Sequence, residues 1–307
     1  MGVHAGNAVG GPVLPASEAQ RAQLVSLLSR HTSGCEGSLE TPVAGLYVSR
    51  LSQAHGARHV LQQPAFGLIA QGGKQLMVGG ECHAYDPFNY LVSSVHLPVL
   101  ATMTDTRPEN PYLGLRLELD VELIGGLIRE AALPPPASEA ARGIHVSRLD
   151  EVLLDAVLRL LRLLDSPQDI PVLAPMIKRE IFYRLLMGAP GSRLRQIALQ
   201  DSQTHRIARA IRHLREHFDQ PLRIENLARA VHMSESSLHH HFKAVTAMTP
   251  LQFQKQLRLQ EARHLMLAGG LDVAATAHRV GYESTSQFSR EYRRQYGKAP
   301  THDRLPA

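Results

Sequence analysis

Read as apolar and polar positions, the chain changes its period three times. Residues 18–30 set Leu24, Leu27 and Leu28 on one helical face and predict a short helix. From residue 43 to about 119 the apolar runs shorten and are broken by Gly, Pro and Asp. Residues 67–70, 75–78 and 90–95 read as strands, and Gly79-Gly80 supplies the two-residue loop of a hairpin. Many short strands at close spacing favour a sandwich or small barrel. Helical spacing returns over residues 121–132 and stops at Pro134-Pro135-Pro136. Residues 149–165 then carry Val152, Leu153, Ala156, Val157, Leu160 and Leu164 to a stop at Ser166-Pro167. Residues 171–187 repeat the pattern with Ile177, Ile181 and Leu185. Two apolar helices beside a β body have two readings: they cover the sandwich, or part of their stripe is a dimer seam.

Residues 188–202 read as a hinge, and 205–218 as a helix with Ile207, Ile211, Leu214 and Phe218 inward. Thr249-Pro250-Leu251-Gln252 opens a long helix with an N-cap Thr, Pro in the first turn and Gln three residues on. It runs about eighteen residues, roughly 27 Å, to Gly269-Gly270. One pattern flanks it twice, over residues 224–243 and 273–293: a short apolar helix with a small alanine, a tight turn, then a polar helix. Leu238 and Phe242, like Phe288 and Tyr292, are four apart, so each pair lies on one buried face. The residues between them point outward and are small, polar or basic. A helix built this way enters a DNA major groove while its back packs on its own domain. A rod of about 27 Å holds two such helices near one turn of DNA apart, roughly 34 Å.

Charge sharpens this picture. The 307 residues carry a net +5, yet residues 205–307 hold 16 Lys/Arg against 9 Asp/Glu, and the first 204 hold 17 against 19. A basic third on a mildly acidic remainder suggests a polyanion-binding module joined to a body with another task. Cys35 and Cys82 are too few for a disulfide framework and fit a reducing cytoplasm. The opening fifteen residues lack the pattern of a secretory signal and read as a disordered tail. No window approaches the ~20 apolar residues that cross a bilayer, so no membrane partner is expected.

The paired motifs, the middle helix and the run Arg279-Val280-Gly281-Tyr282-Glu283-Ser284 through Gln287-Phe288-Ser289-Arg290 resemble the AraC/XylS family of transcription regulators. Tyr47-Val48-Ser49-Arg50-Leu51, Gln71-Gly72-Gly73-Lys74, Tyr90 to Val95 with Leu97-Pro98, Pro111-Tyr112-Leu113-Gly114-Leu115 and Leu163-Leu164-Asp165-Ser166-Pro167 resemble the regulatory domain of one of its subgroups. The resemblance implies an α+β chain. A cupin-like β-sandwich sensor with flanking helices comes first, then an all-α domain of two helix-turn-helix units joined by a long helix. Expected boundaries are a tail over 1–17, a sensor and dimerisation domain over 18–190, a linker over 191–204 and the DNA-binding domain over 205–307. The implied partners are double-stranded DNA, a small-molecule effector and RNA polymerase; a second copy of the chain joins them if the apolar helices form a dimer seam rather than cover the sandwich.

The family's base-reading positions fall on Ser236, His239 and His240, and on Thr285, Ser286, Gln287, Ser289 and Arg290. Arg290 suits guanine O6 and N7, Gln287 suits adenine, and Ser or Thr meets either base or a thymine methyl. Lys243, Arg293 and Arg294 suit phosphate. Two positions depart from the family: His232 stands where Gly is usual in the first turn, and Ala247 where Gly is frequent. A left-handed residue other than Gly costs roughly 1 kcal/mol.

Seventeen histidines invite a metal, but His239-His240-His241 fan apart on a helix. His55 and His59 lie in strand context with Gly56 between them, and His83 and His96 are isolated. No metal or other cofactor is expected. Nucleophile elbow, P-loop and dinucleotide fingerprints are missing, so a cupin-like enzyme stands only as the competing class, and a ligand-independent DNA binder as a third. Cys82, on a predicted strand, is either an electrophile-sensing thiol or a small buried core residue.

Overall fold

In the computed structural model, which describes residues 14–53, 56–135, 142–199, 202–269 and 271–303, the strand-rich stretch folds into two antiparallel sheets laid face to face. A helix α1 (Glu18–His31) precedes β1 (Gly37–Glu40), β2 (Leu46–Leu51), β3 (Arg58–Gln62), β4 (Ala65–Gln71), β5 (Gly73–Val78), β6 (Glu81–Tyr85), β7 (Asn89–Ser93), β8 (Leu97–Thr104) and β9 (Tyr112–Glu118). Then come α2 (Val121–Glu130), β10 (Ile144–Arg148), α3 (Glu151–Arg162), α4 (Ile170–Met187) and α5 (Gly191–Ala198). One sheet has the order β1-β2-β9-β4-β7-β10 and the other β3-β8-β5-β6. Gly79 and Gly80, both at positive φ, join β5 to β6 as the expected hairpin.

Strand β4 is buried from Ala65 to Ala70 because it is covered on both faces. Phe66 and Leu68 point toward α1, α3, α4 and α5, while Ile69 points into the sandwich with Leu76, Leu91 and Tyr112. Helix α1 starts on a capping box between Ser17 and Gln20, and it buries the anticipated Leu24, Leu27 and Leu28.

Several expectations are corrected. Val152 is exposed, while Leu154, Leu158 and Leu161 are buried, so the apolar face of α3 is wider than expected and leaves only a stripe of Glu151, Asp155, Arg159 and Arg162, with Val152, outside it. The stretch expected to be a hinge holds α5, whose Leu194 and Ile197 lie in the same core as α1 and α3. Of the expected tail, Ala16 is buried, with its amide bonded to the Leu149 carbonyl. Residues 1–13, and His55, lie outside the described residues. Cys82 lies on an exposed position of β6 and is not a core residue.

The remaining helices are α6 (Gln203–Glu216), α7 (Ile224–Ala230), α8 (Glu235–Thr246), α9 (Pro250–Ala268), α10 (Val273–Arg279) and α11 (Thr285–Tyr296). Ile207, Leu227, Leu238, Phe242 and Phe253 share one apolar core with Leu76, Val78, Leu97 and Val99 of the second sheet. The second helical unit keeps a small core of its own around Leu259, Ala262, Val280, Phe288 and Tyr292. No helix among the described residues is long and apolar enough to cross a membrane.

Candidate nucleic-acid interface

The two repeated motifs are closed by the same turn. In the first, the Met233 amide bonds the Ala228 carbonyl at 3.0 Å and the His232 amide bonds Arg229 at 3.2 Å. In the second, Tyr282 bonds Ala277 at 2.9 Å and Gly281 bonds His278 at 3.0 Å. Both are complete Schellman motifs with a left-handed residue after the helix, His232 at φ +56° and Gly281 at φ +85°. The difference is space. A Cβ at Gly281 would overlap the Asp219 carbonyl and sit 2.9 Å from the Arg258 guanidinium, whereas the His232 side chain is exposed.

Each turn feeds a helix with a side-chain cap. Ser234 accepts from the Ser237 amide at 3.2 Å, and Ser284 from the Gln287 amide at 3.3 Å. On α8, Leu238 and Phe242 are buried, and Ser236, His239, His240 and Lys243 are exposed together on the opposite face. His241 falls between the two faces and is half-buried. On α11, Phe288 and Tyr292 are buried. Ser286, Gln287, Arg290, Arg293 and Arg294 are exposed, while Thr285 and Ser289 are half-buried at the margin. Gln287 donates to Glu291 at 3.3 Å, and Glu291 also accepts from Lys255 and from the Tyr282 hydroxyl, each at 2.9 Å. Arg294 borders the groove between α11 and the second sheet. Among the described residues no group of three or more His, Cys, Asp or Glu is gathered as a metal set would be.

Sequence reasoning missed the residues that fix these helices in place. Arg258 of α9 donates to the carbonyls of Phe218 at 2.6 Å, Gly281 at 2.7 Å and Gln220 at 2.9 Å, tying the end of α6 to the second turn. Burial holds its pKa below the ordinary arginine value. Arg142 donates to the carbonyls of Lys243 at 3.0 Å and Ala244 at 2.8 Å, near the C-terminal end of α8. It also pairs with Glu81 on the β5–β6 hairpin, and that guanidinium keeps the Glu81 carboxyl below its usual range. At the hairpin tip a Cβ on Gly79 would overlap Ala247, itself left-handed at φ +61°. Arg215 of α6 donates to the His96 ring at 2.8 Å; burial, then Arg215 and Arg212, push His96 down to about 4. The second unit touches the sheet through His59, which contacts the Gln295 carbonyl at 3.2 Å and stands edge-on to Tyr296. Nothing in the one-dimensional pattern pairs these residues, because their partners lie 23 to 236 positions away.

Residues 42–193 match the family model described as the AraC-type transcriptional regulator N-terminus, and residues 227–305 match a helix-turn-helix domain. Curated relatives include the HTH-type transcriptional activator RhaS of Escherichia fergusonii, 30% identical over 156 residues, and that of Salmonella schwarzengrund, 28% identical. These matches cover 50% of this chain, and the chain spans about half the length of the curated relatives it matches, 55%. Among solved structures, unsaturated fatty acid bound wild-type ToxT from Vibrio cholerae is similar, with TM-score 0.53, 11% identity, and coverage of 83% of this chain and 92% of that one. A second ToxT structure gives TM-score 0.51 at 12% identity, covering 83% and 95%. At such identities the likeness is one of fold.

Proposed function

We propose, for a chain that belongs to the AraC/XylS family of transcription regulators, that it reads two short DNA elements through α8 and α11 and activates transcription in response to a small molecule. The observation that carries this reading is the pair of exposed polar and basic stripes, each opposite a buried apolar pair on a helix that follows the same turn. On α11, Arg290 is free to take guanine, and Thr285, Ser286 and Ser289 border it. Gln287 must leave Glu291 before it can read adenine. On α8, Ser236, His239 and His240 supply shorter contacts with no arginine among them, so the second element carries more of the discrimination. Lys243 and Arg293 hold phosphate, as does Arg294 at the rim of its groove.

The effector belongs to the β-rich domain, residues 18–190, and the DNA to residues 205–307, with α5 bridging the two. One structural neighbour binds an unsaturated fatty acid, which supports a small organic acid as the type of effector. RNA polymerase is the partner that activation requires. A second copy fits the face of α4, where Val172, Met176 and Met187 are 67%, 64% and 57% exposed. The expected chain behaves as a dimer on sizing, and Met176→Lys yields the monomer. Cys82, exposed on β6, is open to electrophiles.

The experiment is selection of random duplexes at two salt concentrations. Enrichment of two motifs about one helical turn apart, roughly 34 Å, with affinity falling steeply with salt, is expected. Binding without enrichment would reduce the module to a nonspecific basic surface.

A further inference from the structure

Between its two sheets the sandwich holds a cavity of about 310 Å³ that is partly open to solvent. Strand parity determines what faces it. Leu76 and Val78 of β5 point into the core, so Lys74, two residues before Leu76, projects the same way. Lys74 is paired across the ladder with Tyr85 of β6. From the other sheet, β9 sends Tyr112 and Arg116 inward with Gly114 between them, and Gly67 of β4 lies opposite Arg116. A Cβ at Gly67 would stand 3.7 Å from the Tyr85 hydroxyl, and one at Gly114 2.7 Å from the Tyr112 hydroxyl. Gly114 thus leaves the room that the Tyr112 hydroxyl occupies, while a side chain at Gly67 would only come into contact with the Tyr85 hydroxyl.

Lys74 is half-buried and lines this cavity. Among the described residues it has no hydrogen-bond or ion-pair partner, and no Asp or Glu lines the cavity. Arg116, the second cation, is partly committed: it bonds Gln63 at 2.7 Å and Glu118 at 3.1 Å, and it stacks over Tyr47 at 3.9 Å. Burial, with Arg116 adding to it, pushes the Lys74 ammonium down to about 8, so at neutral pH the group is still mainly charged. A buried cation without a counter-charge is costly, and folds keep one chiefly where an anion is to be met.

We propose that this cavity binds a compact, polar organic carboxylate, seated on Lys74 and the Tyr85 and Tyr112 hydroxyls, with Arg116 as the second positive group. The inference rests on the reading that the β-rich domain receives an effector, and it names the chemistry of that effector. A volume near 310 Å³ is at the small end of ligand pockets, about 300–1,000 Å³. Its walls mix Leu61, Leu91 and Leu115 with polar groups, Ser49 and Gln62 beside the tyrosines and cations. A long acyl chain would strip water from those groups and return no hydrogen bonds. A short hydroxylated or aromatic acid satisfies both the cations and the polar walls.

The test is thermal melting of the full chain with a panel of short carboxylates, including 4-hydroxybenzoate, gluconate and phenyllactate, each beside its own amide, and with oleate. At least one short acid is expected to raise the melting temperature in a saturable way while its amide does not, and to do so more than oleate. Calorimetry of that acid is expected to show at least about tenfold weaker binding to Lys74→Met, the loss of one charge-assisted bond. The proposal is overturned if no acid outperforms its amide, if oleate outperforms every short acid, or if Lys74→Met binds undiminished. Should that variant fail to fold, the contrast between acid and amide on the unaltered chain decides. DNA takes no part in these measurements, so failure of the DNA reading and failure of the carboxylate site are told apart.

Discussion

His232 and Gly281 occupy the same place in two turns of one kind, and the reason only one is glycine is what stands beside it. Gly281 is pressed between the Asp219 carbonyl and Arg258, where neither a Cβ nor another φ fits; His232 opens to solvent and bears only the left-handed strain, about 1 kcal/mol. On the proposed reading, the exposed side chains divide the DNA work in the same local manner. Arg290→Ala should cost about 1–3 kcal/mol and relax preference at one base pair, while Lys243→Ala should weaken all sequences alike and lower the salt slope by about one. Duplex selection on both variants checks this; an unchanged preference in the Arg290 variant would remove α11 from base reading. Lys74 gives a prediction of its own. Its ammonium faces Arg116, Tyr85 and Tyr112 and is charged below about 8. Carboxylate affinity should therefore hold at neutral pH and fall as pH rises through 8, which calorimetry from pH 6.5 to 9.5 would read. The paired bulky anchors of the repeated pattern were legible in the sequence, and the candidate reading positions came with the family resemblance. Lys74 was not singled out as a site, because its inward position shows only once β5 sets it in register with Leu76 and Val78. Arg142 and Arg258 were not legible, since each is defined by carbonyls that only folding brings near.

Among the elements, α9 decides how far apart and at what angle the two reading helices stand. Its start was legible in Thr249-Pro250-Leu251-Gln252, and the capping box forms as those residues require. Its length, 19 residues, gives a rod of about 28 Å. The second unit is fixed to the rod by the core it shares with Leu259 and Ala262 and by the Lys255–Glu291 pair, and the three Arg258 bonds tie both to the end of α6. Arg258→Ala leaves three carbonyls short of a charged donor and should cost about 2–3 kcal/mol of stability. Binding to a single element should be nearly unaffected, while binding to the full bipartite site should drop toward the single-element value. A variant that kept full bipartite affinity would show that another contact sets the angle. Helix α5 was misread for a related reason. Gly188, Pro190 and Gly191 punctuate the sequence like a loop, but a Cβ at Gly191 would overlap the Leu186 carbonyl. That glycine is there to let α5 turn tightly out of α4, and Leu194 and Ile197 then bury themselves in the common core.

At the scale of the whole molecule, the two helix-turn-helix units are held unequally. The first is fused to the second sheet by a continuous apolar core, by Arg142 and by the Arg215–His96 bond. The second keeps its own core and meets the sheet through His59. Both candidate reading stripes are exposed in this arrangement, so the proposed effector in the sandwich would act on the placement of the units rather than by uncovering either stripe. The sequence showed two modules but not this asymmetry, because the residues that dock them, Leu97, Val99 and Phe253, look like ordinary core residues of their own segments. The docking has a pH signature. Burial lowers the pKa of both His96 and His59; His96 faces Arg215 and Arg212, and His59 faces Gln295, Tyr296 and Arg263. A histidine lowered by folding contributes its stability fully above the unfolded value, about 6.5, and loses it as pH falls toward the folded value, about 4 for His96. The melting temperature should therefore decline between pH 6.5 and 4, and hydrogen exchange in β8 and α6 should quicken first. His96→Gln keeps an acceptor for Arg215 without a titrating ring, so it should flatten that part of the decline. Equal pH dependence in the variant and the parent would place the acid-sensitive contact elsewhere, and the His59 junction with the second unit would be next in line.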